Sequence, residues 1–430
     1  MENKGMTAKN TNKSGFNFGR QGLFIIILAF LTMYTYTALI GDSLNVTIKV
    51  FGAMGLNTNV LYSLSTVGTV CGIVATIVIG KLLSKTQVRV MWGILELTAA
   101  VFILIWSTVH TTELYVVCYL VFYAVSACCA NMLLGMVISN WFTRTRGSAM
   151  GLITVGYPLS AATTTTVCTL FVNSNFGIGG YYRMMAIVAA VIGICMLLFV
   201  RDNPEEKGCY PDNNHAFDYD AIKAEHEKSL EYQKTSKWKP ANILKCGRFW
   251  NMMVALVMNA FASQGIMANF VNRFAESGYQ IPEILGMLTV AGVLAIPMSV
   301  LFGWLDVKIG TKKTGMLISA LAIIGITFAT LDVRALNYVA LPILAVMLGG
   351  ANNLSVAMST SIFGRYNFKN VQRCYAPIMS SALGLGITVV GIIGTNYNYH
   401  TAYKTILVLV VIGFIAMCKL KLTPIDDEVR

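Results

Sequence analysis

Charge is scarce in this sequence. Only 12% of its 430 residues are Asp, Glu, Lys or Arg, roughly half the fraction of an average soluble domain. That shortage excludes the two or three soluble domains that the length alone would suggest. Histidine is scarcer still. His110, His215, His226 and His400 all lie in or near loops. No HExxH or other metal spacing occurs, so a metal-dependent membrane enzyme would lack its ligand set. No Walker A loop is present, which removes an ATP-driven pump. The ten cysteines form no CxxC pair and no Cys/His metal spacing. Most of them, among them Cys71, Cys118, Cys128, Cys129, Cys168 and Cys195, lie inside apolar runs and read as small hydrophobes. No cofactor and no metal are expected.

What the chain has in abundance is apolar sequence, 56% of its residues. It falls into runs of about 20 residues, enough to cross a hydrocarbon core as helix, and too long and continuous for barrel strands. Twelve such spans are read at 22–41, 59–80, 90–108, 114–139, 148–171, 183–200, 249–272, 281–304, 314–331, 338–362, 375–396 and 402–420. The first follows a polar tail and lacks a small-residue cleavage site, so it is expected to be a retained helix. With twelve spans both termini share one side. Of the 32 lysines and arginines, all but Lys49, Arg183, Arg273, Arg334 and Lys404 fall on that side. The bias places both termini in the cytoplasm of a cell inner-membrane protein. The net charge of +12 then reflects topology and not a nucleic-acid partner.

The spans form two sets of six. Residues 201–247 are the only long polar segment, with a central stretch suited to a short solvated helix and nothing catalytic in it. This gives an N-tail (1–21), a first bundle (22–200), a linker (201–247), a second bundle (248–421) and a C-tail (422–430). The bundles resemble each other. Asn131 is followed by Phe142 and Arg144, and Asn352 by Phe363 and Arg365, at identical spacing. Arg146 with Ala149 is echoed by Arg373 with Ala376, and Gly80 to Lys85 (GKLLSK) by Gly303 to Lys308 (GWLDVK). Two matches in the same order indicate an internal repeat, and parallel six-helix repeats are a transporter architecture.

The run NWFTRTRGSAMG (140–151) after the fourth span resembles the major facilitator superfamily, in its oxalate/formate antiporter and monocarboxylate porter branch. RDNPEEKGCYPDN (201–213) is similar to the linker start of that branch. GKLLSKTQVR and GWLDVKIGTKK resemble the superfamily's glycine–aspartate–basic signature. Ser84 and Val307 stand where that signature usually has aspartate, with Asp306 one residue early. The resemblance implies an all-α membrane protein of twelve transmembrane helices in two pseudo-symmetric six-helix bundles. It implies a secondary carrier, antiporter or proton symporter, working as a monomer among membrane lipids. It also implies that basic residues between helices engage the opposite half when the cytoplasmic mouth is shut. The gate candidates are Gly80, Lys85, Arg89, Arg144, Arg146, Gly303, Asp306, Lys308, Arg365 and Arg373. Oxalate carriers of the branch use an arginine in helix eight and a lysine in helix eleven. Here the eighth span has no basic residue and the eleventh has only Arg373 at its mouth. The expected substrate is therefore a small organic anion with one carboxylate, accompanied by protons or a counter-substrate. A neutral or amphipathic solute is the alternative, and a membrane enzyme or sensor a remote one.

Helix rise gives depth. Tyr34 lies about 18 Å from the cytoplasmic end of its span, and Asn131, Tyr157, Asn259 and Asn352 about 15–17 Å, close to the midplane. These five, with Gln264 and Asn353 behind them, are the candidates for the substrate path, where carriers of this architecture bind. Pro158 is expected to break the fifth helix beside Tyr157. Glu96, an intramembrane carboxylate, is expected to pair with Arg89 or Arg144, or else to carry a proton.

Overall fold

In a computed structural model, the structure describes residues 16–215, 219–350 and 354–426. Ten helices are long and apolar enough to cross a membrane. Numbered by span, they are α1 (Gly19–Asp42), α2 (Thr58–Leu82), α3 (Val88–Trp106), α4 (Thr112–Trp141), α6 (Gly177–Phe199), α7 (Gly247–Ala268), α8 (Ile281–Ile309), α9 (Thr311–Thr330), α11 (Phe368–Asn396) and α12 (Tyr399–Lys419). Of the two remaining spans, α5 is built in two pieces, Arg146–Ile153 and Gly156–Val172, and the described helical residues of α10 are Arg334–Gly350 and Leu354–Phe363. The twelve expected spans are thus accounted for, and the first helix of each half continues into a short helix, Leu44–Ala53 and Phe270–Glu276.

Local chemistry sets several ends. Asn57 caps α2 by accepting from the N–H of Asn59 at 3.1 Å, and Asn398 caps α12 through Thr401. The break in α5 falls at Thr154–Val155 and not at Pro158 itself. A proline ring clashes with the carbonyl four residues back, which is Thr154. Pro158 then sits in the first turn of the new segment, where its missing N–H is harmless.

Within the first half α3 packs on α6 and α2 on α4; within the second α7 packs on α11 and α12, and α8 and α9 on α10. The halves meet along two seams, α5 against α8 and α2 against α11. α2 corresponds to α8 in the repeat and α5 to α11, so each seam is the other's symmetry mate. Both described chain ends lie on one face, here the terminal face: Phe18 packs on Phe142, and Ile425 donates to the carbonyl of Ile362. The opposite face is called distal.

The α5–α8 seam is held by backbone approach. A Cβ at Gly303 would lie 2.5 Å from the carbonyl oxygen of Gly147 and 2.8 Å from Gly151 Cα. Small residues let helices approach this closely in lipid. One turn deeper, Thr154 and Ser299 hydroxyls meet at 2.6 Å, and Ser299 donates to the Gly151 carbonyl at 2.8 Å. Gly303→Val should therefore force the seam apart, at a cost of about 1–3 kcal/mol. The expected result is faster hydrogen–deuterium exchange in residues 143–153 and 299–309, with the distal ends of both helices unchanged.

Candidate functional site

Near mid-membrane, the first half gathers tyrosine hydroxyls and one amide. A π-helical turn, Cys129–Leu133, interrupts α4 and adds a residue to one turn. It aims the Asn131 side chain at α1, where its Nδ2 lies 3.5 Å from the Tyr36 hydroxyl. The Asn131 carbonyl accepts from Gln372 of α11, across the seam, at 2.9 Å. Tyr36 also bonds Tyr123 of α4, whose hydroxyl lies 3.1 Å from Thr69 Oγ1 on α2. Tyr157 of α5 lies near Tyr36 and Tyr123 and, from the other half, near Tyr375 of α11. Tyr375 is bonded in turn to Ser355 of α10. No charged side chain bonds to this cluster among the described residues.

Tyr34, one helical step from the cluster, bonds Thr163 of α5 at 2.9 Å. Gln264 is partly buried on α7 and takes no part in the hydrogen-bonded group. Asn259 is turned away. Its Nδ2 donates to Ala255 O at 2.8 Å and to Ser319 of α9 at 3.1 Å, so it ties α7 to α9 inside the second half. Asn352 and Asn353 lie outside the described residues. Depth counting along a helix carries no information on azimuth. Tyr36, Tyr123 and Tyr375 were passed over, although Tyr36 lies two residues beyond Tyr34.

The gate candidates divide in the same way. Arg146 donates across the seam to Ser361 at 3.1 Å and interacts electrostatically with Asp306, whose carboxylate lies directly over Gly147. Gly80 faces the Arg373 side chain, which would be 3.5 Å from a Cβ there. Arg365 forms a two-point pair with Glu205, at 2.8 and 3.0 Å. The others do not bridge the halves. Arg89 donates to carbonyls of Leu197 and Val200, tying α3 to α6. Lys308 stacks over Trp304 of its own helix. Lys85 and Arg144 are exposed.

Glu96 pairs with neither Arg89 nor Arg144. It is 4% exposed and accepts from Thr32 Oγ1 at 3.0 Å and Trp92 Nε1 at 3.2 Å, with a further bond from Cys129. Arg89 is drawn off by the two free carbonyls at the end of α6, which leaves the carboxylate to uncharged donors.

The linker does more than connect. Asp202 accepts from the N–H groups of Val88 and Arg89 at 2.8 and 2.7 Å, capping α3. Asp212, in the left-handed region at φ 56°, accepts from the backbone of Thr143, Arg144 and Thr145 and from both threonine hydroxyls. Glu205 takes Arg365 of the second half. The linker helix Tyr219–Thr235 adds His226, 3.2 Å from the Tyr366 hydroxyl, and Gln233, which donates to Tyr366 O at 2.8 Å. Burial first, and then Arg365 nearby, lower the His226 imidazole below its usual range against the pull of Glu205. It is therefore neutral at neutral pH, and protonation on acidification would act against the docking of this helix. These acids spring from the RDN, PEEKG and YPDN runs, where nothing local marks their partners.

Comparison with known proteins agrees with this architecture. The chain matches the Major Facilitator Superfamily over residues 22–371, and it belongs to that superfamily. It is thus a multi-pass membrane transporter and not an enzyme. No curated protein matched the chain. Among solved structures, it is similar to the proton:xylose symporter XylE bound to 6-bromo-6-deoxy-D-glucose. That match has 13% identity and a TM-score of 0.72, and covers 92% of this chain and 95% of the other. It is also similar to the human organic anion transporter MFSD10 (TETRAN), at 11% identity and a TM-score of 0.67, covering 93% and 99% of the two chains.

Arg365→Ala would leave the Glu205 carboxylate, 2% exposed, buried without its partner, at a cost of about 3–5 kcal/mol. Thermal unfolding of purified protein should show a clear loss of stability for the single variant. The double variant Glu205→Ala/Arg365→Ala should recover much of it.

Proposed function

We propose that the chain carries a small organic anion with a single carboxylate across the cytoplasmic membrane by alternating access, with both termini in the cytoplasm. The lysine and arginine bias supports that orientation. The observation that carries the substrate reading is the uncharged, donor-rich cluster of Tyr36, Asn131, Tyr123, Tyr157 and Tyr375. Hydrogen bonds donated to a carboxylate favour its charged form, and one charge needs fewer such donors than two. A dianion would demand cations, and those on α8 and α11, Lys308, Lys369 and Arg373, stand at the terminal ends of the helices.

The seams support the mechanism. The closed approaches run from Arg146–Ser361 and Gly151–Gly303 near the terminal face to Thr69 against Gly384. Beyond them Ser65, Thr66, Thr166 and Thr388 are exposed. In this state solute enters from the distal side, and Tyr375 and Gln372 of the second half complete a site begun by the first. Rocking of the halves would then part the α5–α8 and α2–α11 seams on the terminal face. A second reading is favoured by the tyrosines themselves. Each hydroxyl both donates and accepts, which suits a neutral hydroxyl-bearing solute. One structural neighbour is named for xylose and the other for organic anions, so the choice rests on the site.

Counterflow in proteoliposomes with labelled lactate, oxalate and a neutral hexose separates these readings. Lactate is expected to exchange and oxalate to fail. Asn131→Ala and Tyr375→Phe should each weaken lactate exchange about ten- to a hundredfold, as the loss of one hydrogen bond to a charged group implies. Exchange of hexose alone would replace the anion reading with the neutral one.

A further inference from the structure

We propose that Glu96 is the proton-binding site that couples transport to the pH gradient. The inference rests on the carrier reading above and adds a co-substrate to it.

The carboxylate sits eight residues into α3, about 12 Å deep along the helix. An ionisable side chain at such depth is costly unless it has work or a partner. No cation lies within ion-pair distance of Glu96 among the described residues. The groups facing it are Thr32 from α1, Trp92 from its own helix, and Cys129 with its neighbour Cys128 from α4. The charged residues on the helices packed around it stand toward their ends: Arg20 and Asp42 on α1, Glu113 on α4 and Arg183 on α6. Arg89, two turns away on α3, is committed to the Leu197 and Val200 carbonyls. No charge therefore pins Glu96 in either protonation state.

Both states can be satisfied by the same neighbours. Ionised, the carboxylate accepts from all three. Protonated, it can donate to Thr32, whose hydroxyl both gives and takes, while still accepting from Trp92, whose N–H only donates. One proton adds to a carboxylate oxygen and later leaves it; nothing else is exchanged. The change is felt at the substrate cluster because of where the two other partners sit. Thr32 is one helical turn before Tyr36 on α1, on the same face. Cys129 opens the π turn that holds Asn131. The Asn131 amide and Tyr36 hydroxyl meet at 3.5 Å. Glu96 thus grips the two segments that present these donors, and reversal of the Thr32 bond or release of Cys129 moves them. By linkage, the factor by which the proton changes substrate affinity equals the factor by which substrate changes proton affinity.

Proteoliposomes test this in two arms. Counterflow at equal pH on both sides reads the carrier cycle, and accumulation under an imposed pH gradient reads coupling. Glu96→Gln should retain lactate counterflow and lose gradient-driven accumulation by about tenfold or more, with pH sensitivity of apparent lactate affinity abolished. Accumulation equal to the parent overturns the proposal, as does lactate uptake by the parent with no proton movement detected by an internal pH dye. Absence of counterflow in the parent would instead remove the lactate reading. Infrared difference spectroscopy of the parent on acidification needs no substrate and covers the case of a misfolded Gln variant. A buried carboxylic-acid band that shifts in Glu96→Asp supports the site, and the lack of any such band overturns it.

Discussion

The structure depends on one close approach, that of α5 to α8 at Gly147, Gly151 and Gly303. No side chain fits between these backbones. Because the approach is so close, Ser299 can reach the Gly151 carbonyl, Arg146 can reach Ser361, and Asp306 can lie over Gly147. The contact seals one face of the molecule. It is made by glycine backbones and hydroxyl contacts, which suits the proposed opening of this interface. States separated by a few kcal/mol can be exchanged by binding energy. The linker braces the same face from outside, with Asp212 and Asp202 on the first half and Glu205 on the second.

Above that closure the helices are deliberately irregular. The π turn in α4, the break in α5 four residues before Pro158, and the π turn Ala38–Asp42 at the end of α1 all fall where polar groups converge. Irregular backbone frees carbonyls and re-aims side chains. The Asn131 carbonyl is used in this way by Gln372 from the opposite half. The site is therefore joined to the seam by a hydrogen bond, so occupancy and closure can influence one another.

Much of the fold was legible in the sequence, because apolar runs and basic loops are one-dimensional signals. The twelve spans follow from them, the repeat from matched motif spacing, and the superfamily from the resemblance of NWFTRTRGSAMG and its companion runs. The internal breaks were only partly legible. Pro158 announces a break but displaces it to Thr154, while the turn at Cys129 has no local signal and depends on Glu96 and α1. Rise along a helix says nothing of direction around it, and Asn259 is claimed by Ser319. The linker acids resemble a solvated charge run until the loops they cap are folded beside them. Glu96 was visible as an anomaly, but its partners were not, since Thr32 and Cys129 come from other helices.

The central claim is that the two halves rock about the tyrosine–asparagine cluster, closing one face as the other opens. Paired spin labels test it most directly, one pair at Ser84 and Lys313 on the terminal face and one at Asn59 and Tyr397 on the distal face, all four exposed. When a solute that undergoes counterflow is added, the terminal pair should gain a longer-distance population and the distal pair a shorter one. Distances that stay fixed at both faces, or lengthen together, would contradict the account.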